Sequence, residues 1–349
     1  MRLTTLGRAE TRIAWFLVCL LTLASVSSAQ SPTPPSAPPV PASTPSTDNA
    51  SPQDASPQDV SPQDDKSPTF VFKKEVEEVI LHATVTDDRN RLITGLGRDN
   101  FKVYEDGKLQ ELTSFRKERV PVALGILIDN SGSMLPKRAK VNEAALQLVD
   151  ASQQDDRVFV VNFGDDAFLD QDYTQDISKL RAALQRVETR GSTALYDAII
   201  AAVDHIGKMS PLQKNILLVV TDGRDNASQA TFQEVLHKLQ SKNGPVLYTI
   251  ALEQNERRDD DSRQSLRRLS EQTGGTAFFP SSLDEVQSIA SAIARDIRSQ
   301  YVLGYRSSNP HTPGVYHSIQ VQALDRSFRL RVETRTGYYS GNNGSEESH

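Results

Sequence analysis

Apolar residues between about positions 121 and 298 fall into short unbroken runs that alternate with stretches of helical periodicity. The runs predict strands at 122–128, 157–163, 216–221, 246–252 and 277–279, with a short edge strand near 167–172. The periodic stretches predict helices at 137–150, 177–187, 195–209, 232–241, 262–272 and 283–298. This alternation is typical of a mostly parallel sheet covered on both faces, so we expect a doubly wound, Rossmann-like α/β domain at 121–298.

Residues 69–120 and 299–339 instead alternate between apolar and polar positions, with an Asp-Gly turn inside 105–107. A period of two predicts short antiparallel strands. At about 50 residues or fewer, neither segment is large enough to close a good core by itself. We therefore expect the two β segments to pair into one small β-sandwich, with the α/β domain inserted between them. Two separate β units are the alternative.

Residues 1–29 have the three parts of a secretory signal peptide. Arg2, Arg8 and Arg12 make a basic start, residues 13–24 are apolar, and Ser27-Ser28-Ala29 offers a cleavage site. The apolar run is shorter than the roughly 20 residues that a membrane-spanning helix needs, so no membrane span is expected after cleavage. The sequence thus predicts a secreted, periplasmic or cell-envelope protein, with an uncleaved N-terminal anchor as the alternative.

Residues 30–68 contain 11 of the 18 prolines and three repeats of the tetrapeptide SPQD. With almost no large apolar side chains, this segment is predicted to be a disordered linker. It could serve as a stalk or be an N-terminal tail. A second disordered tail is predicted at 340–349.

The charge, cysteine and histidine content argues against several classes of function. Lys and Arg total 39 against 45 Asp and Glu, a net charge of −6, which disfavours a nucleic-acid partner. The one cysteine, Cys19, excludes a disulfide framework and a thiolate-rich metal site. The six histidines show no HExxH spacing, so zinc hydrolysis of that type is also disfavoured.

Oxygen-bearing side chains gather around the ends of two predicted strands. Asp129, Ser131 and Ser133 follow the first strand. Asp222 follows the strand at 216–221, which is the fourth when the edge strand is counted, and Thr193 precedes the helix at 195–209. In the usual doubly wound order these strand ends are neighbours. Two carboxylates and three hydroxyls suit a hard divalent cation, Mg²⁺, Mn²⁺ or Ca²⁺. Taken singly, the same residues also fit an Asx turn, a helix N-cap and a turn.

Together, Asp129-x-Ser131-x-Ser133, Thr193 within GSTALYDA and Asp222 within VVTDG resemble the metal-ion-dependent adhesion site of a von Willebrand factor type A domain. The resemblance implies that Ser131, Ser133 and Thr193 bind the cation, Mg²⁺ first of all, while Asp129 and Asp222 bind it directly or through water. It also implies that an acidic side chain of a protein partner completes the coordination.

The segment before the first strand adds a narrower resemblance. Residues 87–96, together with Asn100-Phe101 and residues 103–107, are similar to an exported, acidobacterial subgroup of the same family. Asp197 and Asp225 lie close to the motif and are either supporting acceptors or solvated surface charges.

We therefore expect an exported, divalent-cation-dependent, adhesion-like protein-binding module and not an enzyme. The alternatives are a metal-dependent hydrolase, and a structural envelope protein whose metal stabilises the fold. A hydrolase is disfavoured because no second motif carboxylate stands beside Asp129, as in DxD-type loops, and no histidine is placed as a general base. The sequence leaves the partner's identity and the oligomeric state open.

Overall fold

A computed structural model describes residues 78–117, 120–186, 191–252, 260–309, 312–325 and 329–341. The predicted signal peptide, the Pro/Ser-rich linker and nearly all of the C-terminal tail lie outside these residues. Among the described helices, none combines the length and apolar character that crossing a bilayer requires.

In these residues the strands are β1 (Glu78–Thr86), β2 (Phe101–Glu105), β3 (Lys108–Gln110), β4 (Leu112–Arg116), β5 (Val122–Asp129), β6 (Arg157–Phe163), β7 (Ala167–Thr174), β8 (Lys214–Thr221), β9 (Val246–Ala251), β10 (Ala277–Phe278), β11 (Tyr301–Arg306), β12 (Tyr316–Ala323), β13 (Arg331–Glu333) and β14 (Gly337–Tyr339). The helices are α1 (Arg138–Asp150), α2 (Ile177–Gln185), α3 (Leu195–Met209), α4 (Phe232–Leu239), α5 (Asp260–Thr273) and α6 (Val286–Ser299).

The central sheet has the order β10-β9-β8-β5-β6-β7. Its strands are parallel except β7, which runs antiparallel to β6 at one edge. β5 and β8 lie side by side in the middle, and every residue of both strands is buried. The predicted doubly wound, mostly parallel α/β fold is confirmed, including the edge strand.

Two hydrophobic layers cover this sheet. Alternate residues of β5, among them Ile126 and Ile128, pack with α1, α2 and α6, whereas Leu127 faces the layer formed with α3, α4 and α5. Gly125 is required where the second layer is tightest, because a Cβ there would lie 2.3 Å from the Phe159 ring. Burial on both faces explains why these strands read as unbroken apolar runs rather than as alternating ones.

The flanking segments form two four-stranded sheets with the orders β13-β1-β11-β4 and β14-β12-β2-β3. β1 lies between β11 and β13, and β2 lies between β12 and β3, so each sheet combines strands from both ends of the chain. One hydrophobic core joins the sheets, and it includes Leu81, Val103, Leu303 and Tyr338. The two β segments thus form a sandwich that flanks the α/β fold. Independent folding of the two units stays a prediction.

A chain that ends at Ser299 tests this organisation. It would lose both neighbours of β1 and one neighbour of β2, so we expect their amides to lose hydrogen-exchange protection while those of β5 and β8 keep theirs. Hydrogen exchange measured by mass spectrometry on the full and shortened chains gives the comparison. Unchanged protection of β1 would show that residues 69–120 fold as a unit of their own.

Candidate metal centre

The first part of the site is the loop that leaves β5. The buried Asp129 ends the strand, and its Oδ1 accepts a hydrogen bond of 2.7 Å from the backbone N–H of Ser131. This is the Asx turn that the sequence allowed. The turn places the Ser131 and Ser133 hydroxyl oxygens 3.2 Å apart, so both side chains point to the same side of the loop. A short 3-10 turn at Gly132–Met134 then leads towards α1.

The second part is the end of β8. The Ser133 hydroxyl donates a 2.8 Å hydrogen bond to Oδ1 of Asp222, which directly follows this strand. The Thr221 hydroxyl donates a 2.7 Å bond to Oδ2 of Asp129. Side chains more than 85 residues apart in the sequence therefore share one hydrogen-bonded cluster.

Thr193 lies on the neighbouring loop and is buried. Its N–H donates to Oδ1 of Asn226 at 2.8 Å, and the Asn226 N–H donates back to the Thr193 carbonyl at 3.0 Å. A Cβ on Gly223 would lie 3.4 Å from Oγ1 of Thr193, so this hydroxyl lies against the backbone that follows Asp222. The N-cap of α3 is Ala194, not Thr193, so the helix-cap interpretation of Thr193 was wrong.

Two basic residues at the start of α1 complete the cluster, and the sequence analysis missed both. The Lys137 ammonium forms an ion pair with Oδ2 of Asp222, and the two side chains are 8% and 0% exposed. The buried Arg138 donates to the Asp129 carbonyl at 3.3 Å and to Oδ1 of Asn162. Their signal in the sequence was a Lys-Arg pair at a helix N-terminus, where the helix dipole disfavours positive charge.

Residues 124–292 match the family model described as von Willebrand factor type A domain. The chain contains a von Willebrand factor type A domain. It is this domain that carries all five predicted site residues and both basic ones.

Curated relatives match part of this chain. Calcium-activated chloride channel regulator 1 of Sus scrofa is 29% identical over 163 residues, which are 45% of this chain and 17% of that protein. An uncharacterized protein of Synechocystis sp. is 26% identical over 110 residues, 31% of this chain and 26% of that protein. The chain thus spans about a sixth to a quarter of these relatives. The acidobacterial subgroup stays a prediction.

Solved structures give weaker likenesses. A von Willebrand factor type A protein from Catenulispora acidiphila is 12% identical, covers 78% of this chain and 76% of its own, and has a TM-score of 0.45. Proximal thread matrix protein 1 from the mussel byssus, described with a zinc occupied MIDAS motif, is 18% identical, covers 56% and 50%, and has a TM-score of 0.45.

Asp197 and Asp225 brace the loop beyond Asp222 in the type A domain. The Asp197 carboxylate accepts 2.9 Å hydrogen bonds from the N–H groups of Gln229 and Ala230. Asp225 accepts from the N–H of Tyr196 at 3.2 Å and from the Ser228 hydroxyl. Both carboxylates are thus hydrogen-bonded rather than merely solvated, and their role as supporting acceptors for the metal ligands stays a prediction.

Burial dominates the electrostatics of the type A site. The pKa of Asp129 is raised, first because the carboxyl is withdrawn from water and further because Asp222 repels its charge. Hydrogen bonds from Thr221 and Ser131 oppose the rise in this pKa without cancelling it. The ionised form is therefore destabilised, and a divalent cation would relieve that cost. The all-oxygen donor set and the unfavourable buried charge both fit such a cation.

A second group of potential ligands lies in the β-sandwich and consists of Glu105, Asp106 and His317. It fits a metal poorly, because the Glu105 carboxylate already accepts hydrogen bonds from four donors. These donors are Tyr305, Ser307, Asn309 and Tyr338. His317 donates or accepts through Nδ1 at 2.8 Å from Asp106. We interpret this group as a polar network, buried at Glu105 and His317, that stabilises the sandwich.

Asp129→Asn tests the charge cost at the type A site. The amide can accept from the Ser131 N–H and donate to the Thr221 hydroxyl, so the shape is kept while the charge is removed. Since the raised pKa means that ionised Asp129 lowers stability at pH 7, we expect the melting temperature in EDTA to rise by roughly 2–4 °C.

Thermal unfolding followed by circular dichroism measures this effect, with the exposed Asp284→Asn as the matched control. Mg²⁺ should raise the melting temperature of the wild type and of the control, but not that of Asp129→Asn. A lower melting temperature for Asp129→Asn than for the wild type in EDTA would mean that the ionised carboxylate stabilises the fold.

Proposed function

We propose that this chain is an exported, adhesion-like binding module whose type A domain holds a divalent cation and captures a carboxylate of a protein partner. One observation carries the proposal. The hydroxyls of Ser131 and Ser133 and the carboxylates of Asp129 and Asp222 converge within one hydrogen-bonded cluster at the carboxyl ends of β5 and β8. In open α/β sheets this end of the sheet is where ligands bind.

Each residue has a role in this proposal. Ser131, Ser133 and Thr193 supply neutral hydroxyl ligands, while Asp129 and Asp222 supply charge directly or through water. A donor set with few carboxylates leaves the cation electrophilic, and that favours an acidic group from outside. Ser133 and Leu135 lie on the exposed side of the loop, Leu135 with 59% exposure, so a partner can reach both. We propose Mg²⁺ as the cation, with Mn²⁺ and Ca²⁺ as alternatives.

A binding role explains the site better than hydrolysis does. Phosphoryl transfer at a metal benefits from a second carboxylate beside the first, but Asn130 and Ser131 follow Asp129. Two of the described histidines are already engaged away from this cluster, His205 with Asp172 and His317 with Asp106. Export is proposed from residues 1–29, with the linker at 30–68 separating the module from the point of attachment if it acts as a stalk.

Calorimetric titration of Mg²⁺ tests the ligand assignment. We expect Ser133→Ala to weaken Mg²⁺ affinity at least roughly tenfold, because the cation loses a hydroxyl and Asp222 loses the donor that orients it. Ser288→Ala removes an exposed hydroxyl from α6 and should bind like the wild type. Equal affinity in all three proteins would remove Ser133 from the site.

Lys137→Met tests the competition at Asp222. The wild-type ammonium holds Oδ2 of Asp222 and repels a divalent cation, so its removal should tighten Mg²⁺ binding by roughly tenfold. Lys140→Met is the control, because Lys140 forms an exposed pair with Asp284 at 3.3 Å. Weaker Mg²⁺ binding by Lys137→Met than by Lys140→Met would show that Lys137 instead orders Asp222 for the metal.

The partner itself is tested by pull-down from envelope extract with the mature chain in Mg²⁺ or in EDTA. A ligand retained by the wild type and by Ser288→Ala, but released by EDTA and by Ser133→Ala, supports cation-dependent capture. Metal binding that raises the melting temperature while retaining no ligand would favour the structural alternative. Turnover of a phosphate or acyl ester that stops with EDTA would favour the hydrolase.

A further inference from the structure

A cavity of about 840 Å³ lies at the opposite end of the central sheet from Asp129 and Asp222. Its walls include Ile80 and His82 of β1 and the amino ends of β8 and β9. Alternate residues of β1 such as Leu81 and Ala83 face the sandwich core, which turns His82 towards the type A domain. The cavity therefore lies between the sheet that contains β1 and the base of the α/β fold, and it is partly open to solvent.

Positive charge dominates the walls of this cavity. Its lining includes four cationic side chains, Arg116, Lys214, Lys242 and Arg335, and among the described residues one carboxylate, Glu78. Oε1 of Glu78 accepts hydrogen bonds from Thr113 and, at 2.9 Å, from Ser114. The carboxylate is thus partly used by neutral donors. Such an excess of cations is unusual in a chain whose net charge is −6.

Two of these cations are deeply buried and contact backbone carbonyls. Lys214 is 3% exposed and donates to the Ile297 carbonyl. Arg335 is 8% exposed and donates to the carbonyls of Ser241, Lys242 and Gly337 at 2.7, 2.6 and 3.2 Å. These carbonyls accept some of the N–H groups but leave the positive charges uncompensated, and that is costly at a buried position.

The carboxylates that act on Lys214 from a distance already have partners. Asp156 accepts both ends of the Arg298 guanidinium, and Asp296 accepts from Thr84 and Tyr248 at 2.6 Å each. Burial, followed by repulsion from Arg298, lowers the pKa of Lys214 to about 7. Burial lowers the pKa of Arg335 to about 10. Both pKa shifts arise first from burial, so each cation carries a desolvation cost.

His82 lies within range of the positive charges of Lys214 and Arg335. Its Nδ1 is buried and has no hydrogen-bond partner among the described residues. Burial first, and then the positive charges of Lys214 and Arg335, together lower the pKa of His82 to about 3. The imidazole is therefore neutral at pH 7 and can offer a donor from Nδ1 without adding charge.

We propose that this cavity binds a tetrahedral oxyanion of the phosphate class between Lys214, Arg335 and His82. With a pKa of about 7, Lys214 is only partly protonated at pH 7. A bound dianion favours its charged form and balances Arg335 as well, whereas a monocarboxylate supplies a single negative charge. Nη1 and Nη2 of the Arg335 guanidinium each give one N–H to a carbonyl and keep a second N–H that can donate to a phosphate oxygen. The volume exceeds what a free ion fills, so a small phosphate ester also fits. The inference is independent of the proposed metal-binding function, because the site lies at the other end of the sheet.

Calorimetry of the mature wild-type chain with inorganic phosphate tests this site in EDTA, so that the metal centre makes no contribution. Sodium chloride at equal ionic strength and sodium acetate are the comparison salts, and glycerol 3-phosphate distinguishes an ester from the free ion. We expect saturable binding of phosphate, of the ester or of both. Lys214→Met should weaken it at least tenfold, whereas Lys208→Met, exposed on α3, should not change it.

Phosphorus NMR of the wild type gives a second readout that does not depend on any variant folding. If the phosphorus line of phosphate or of the ester broadens in the presence of the protein and excess sulfate reverses the broadening, an oxyanion site is supported. The proposal is overturned if neither phosphate compound binds more tightly than acetate, or if folded Lys214→Met binds phosphate as the wild type does. A loss of Mg²⁺ binding in Ser133→Ala would leave this result unaffected.

Discussion

The parallel pairing of β5 with β8 is the constraint on which the candidate metal centre depends. Because both strands run in the same direction and are buried on both faces, their carboxyl ends deliver Asp129 and Asp222 to one edge of the sheet. The hydrophobic layers on either side fix the register, since a slip by one residue would turn each apolar side chain towards the wrong layer. Packing of the hydrophobic core thus positions the polar side chains of the candidate metal centre.

Holding two carboxylates together at a buried edge has an electrostatic cost, and the surrounding residues limit it. Thr221 and Ser131 donate to Asp129, while Ser133 and Lys137 hold the two oxygens of Asp222. These bonds orient oxygen atoms before any ion arrives, which lowers the entropy cost of binding. Lys137 has the opposite effect as well, because its charge opposes a divalent cation. The affinity of the proposed site for a divalent cation then depends on two opposing effects, the preorganised oxygen atoms and the repulsion by Lys137.

The two ends of the central sheet gather different ionisable side chains. Carboxylates of Asp129 and Asp222 gather where β5 and β8 end, whereas Lys214 begins β8 and faces the cavity shared with His82 and Arg335. The β-sandwich creates this second environment by placing β1 across the base of the type A domain. Thr84 of β1 hydrogen-bonds to Asp296 of α6 at 2.6 Å, so the two folds meet through polar contacts as well as packing.

The sequence by itself determined what depends on local patterns. Hydrophobic periodicity determined the strands, the helices and the α/β class. The motif around Asp129 and Ser133 placed the candidate site on the loop after the first strand, because such a motif consists of adjacent residues. Only the tertiary structure decided which distant groups meet. Lys137 reaches Asp222 over 85 positions, and His82 comes within range of Lys214 and Arg335. Contacts of that kind follow from strand order and packing, which no short stretch of sequence specifies.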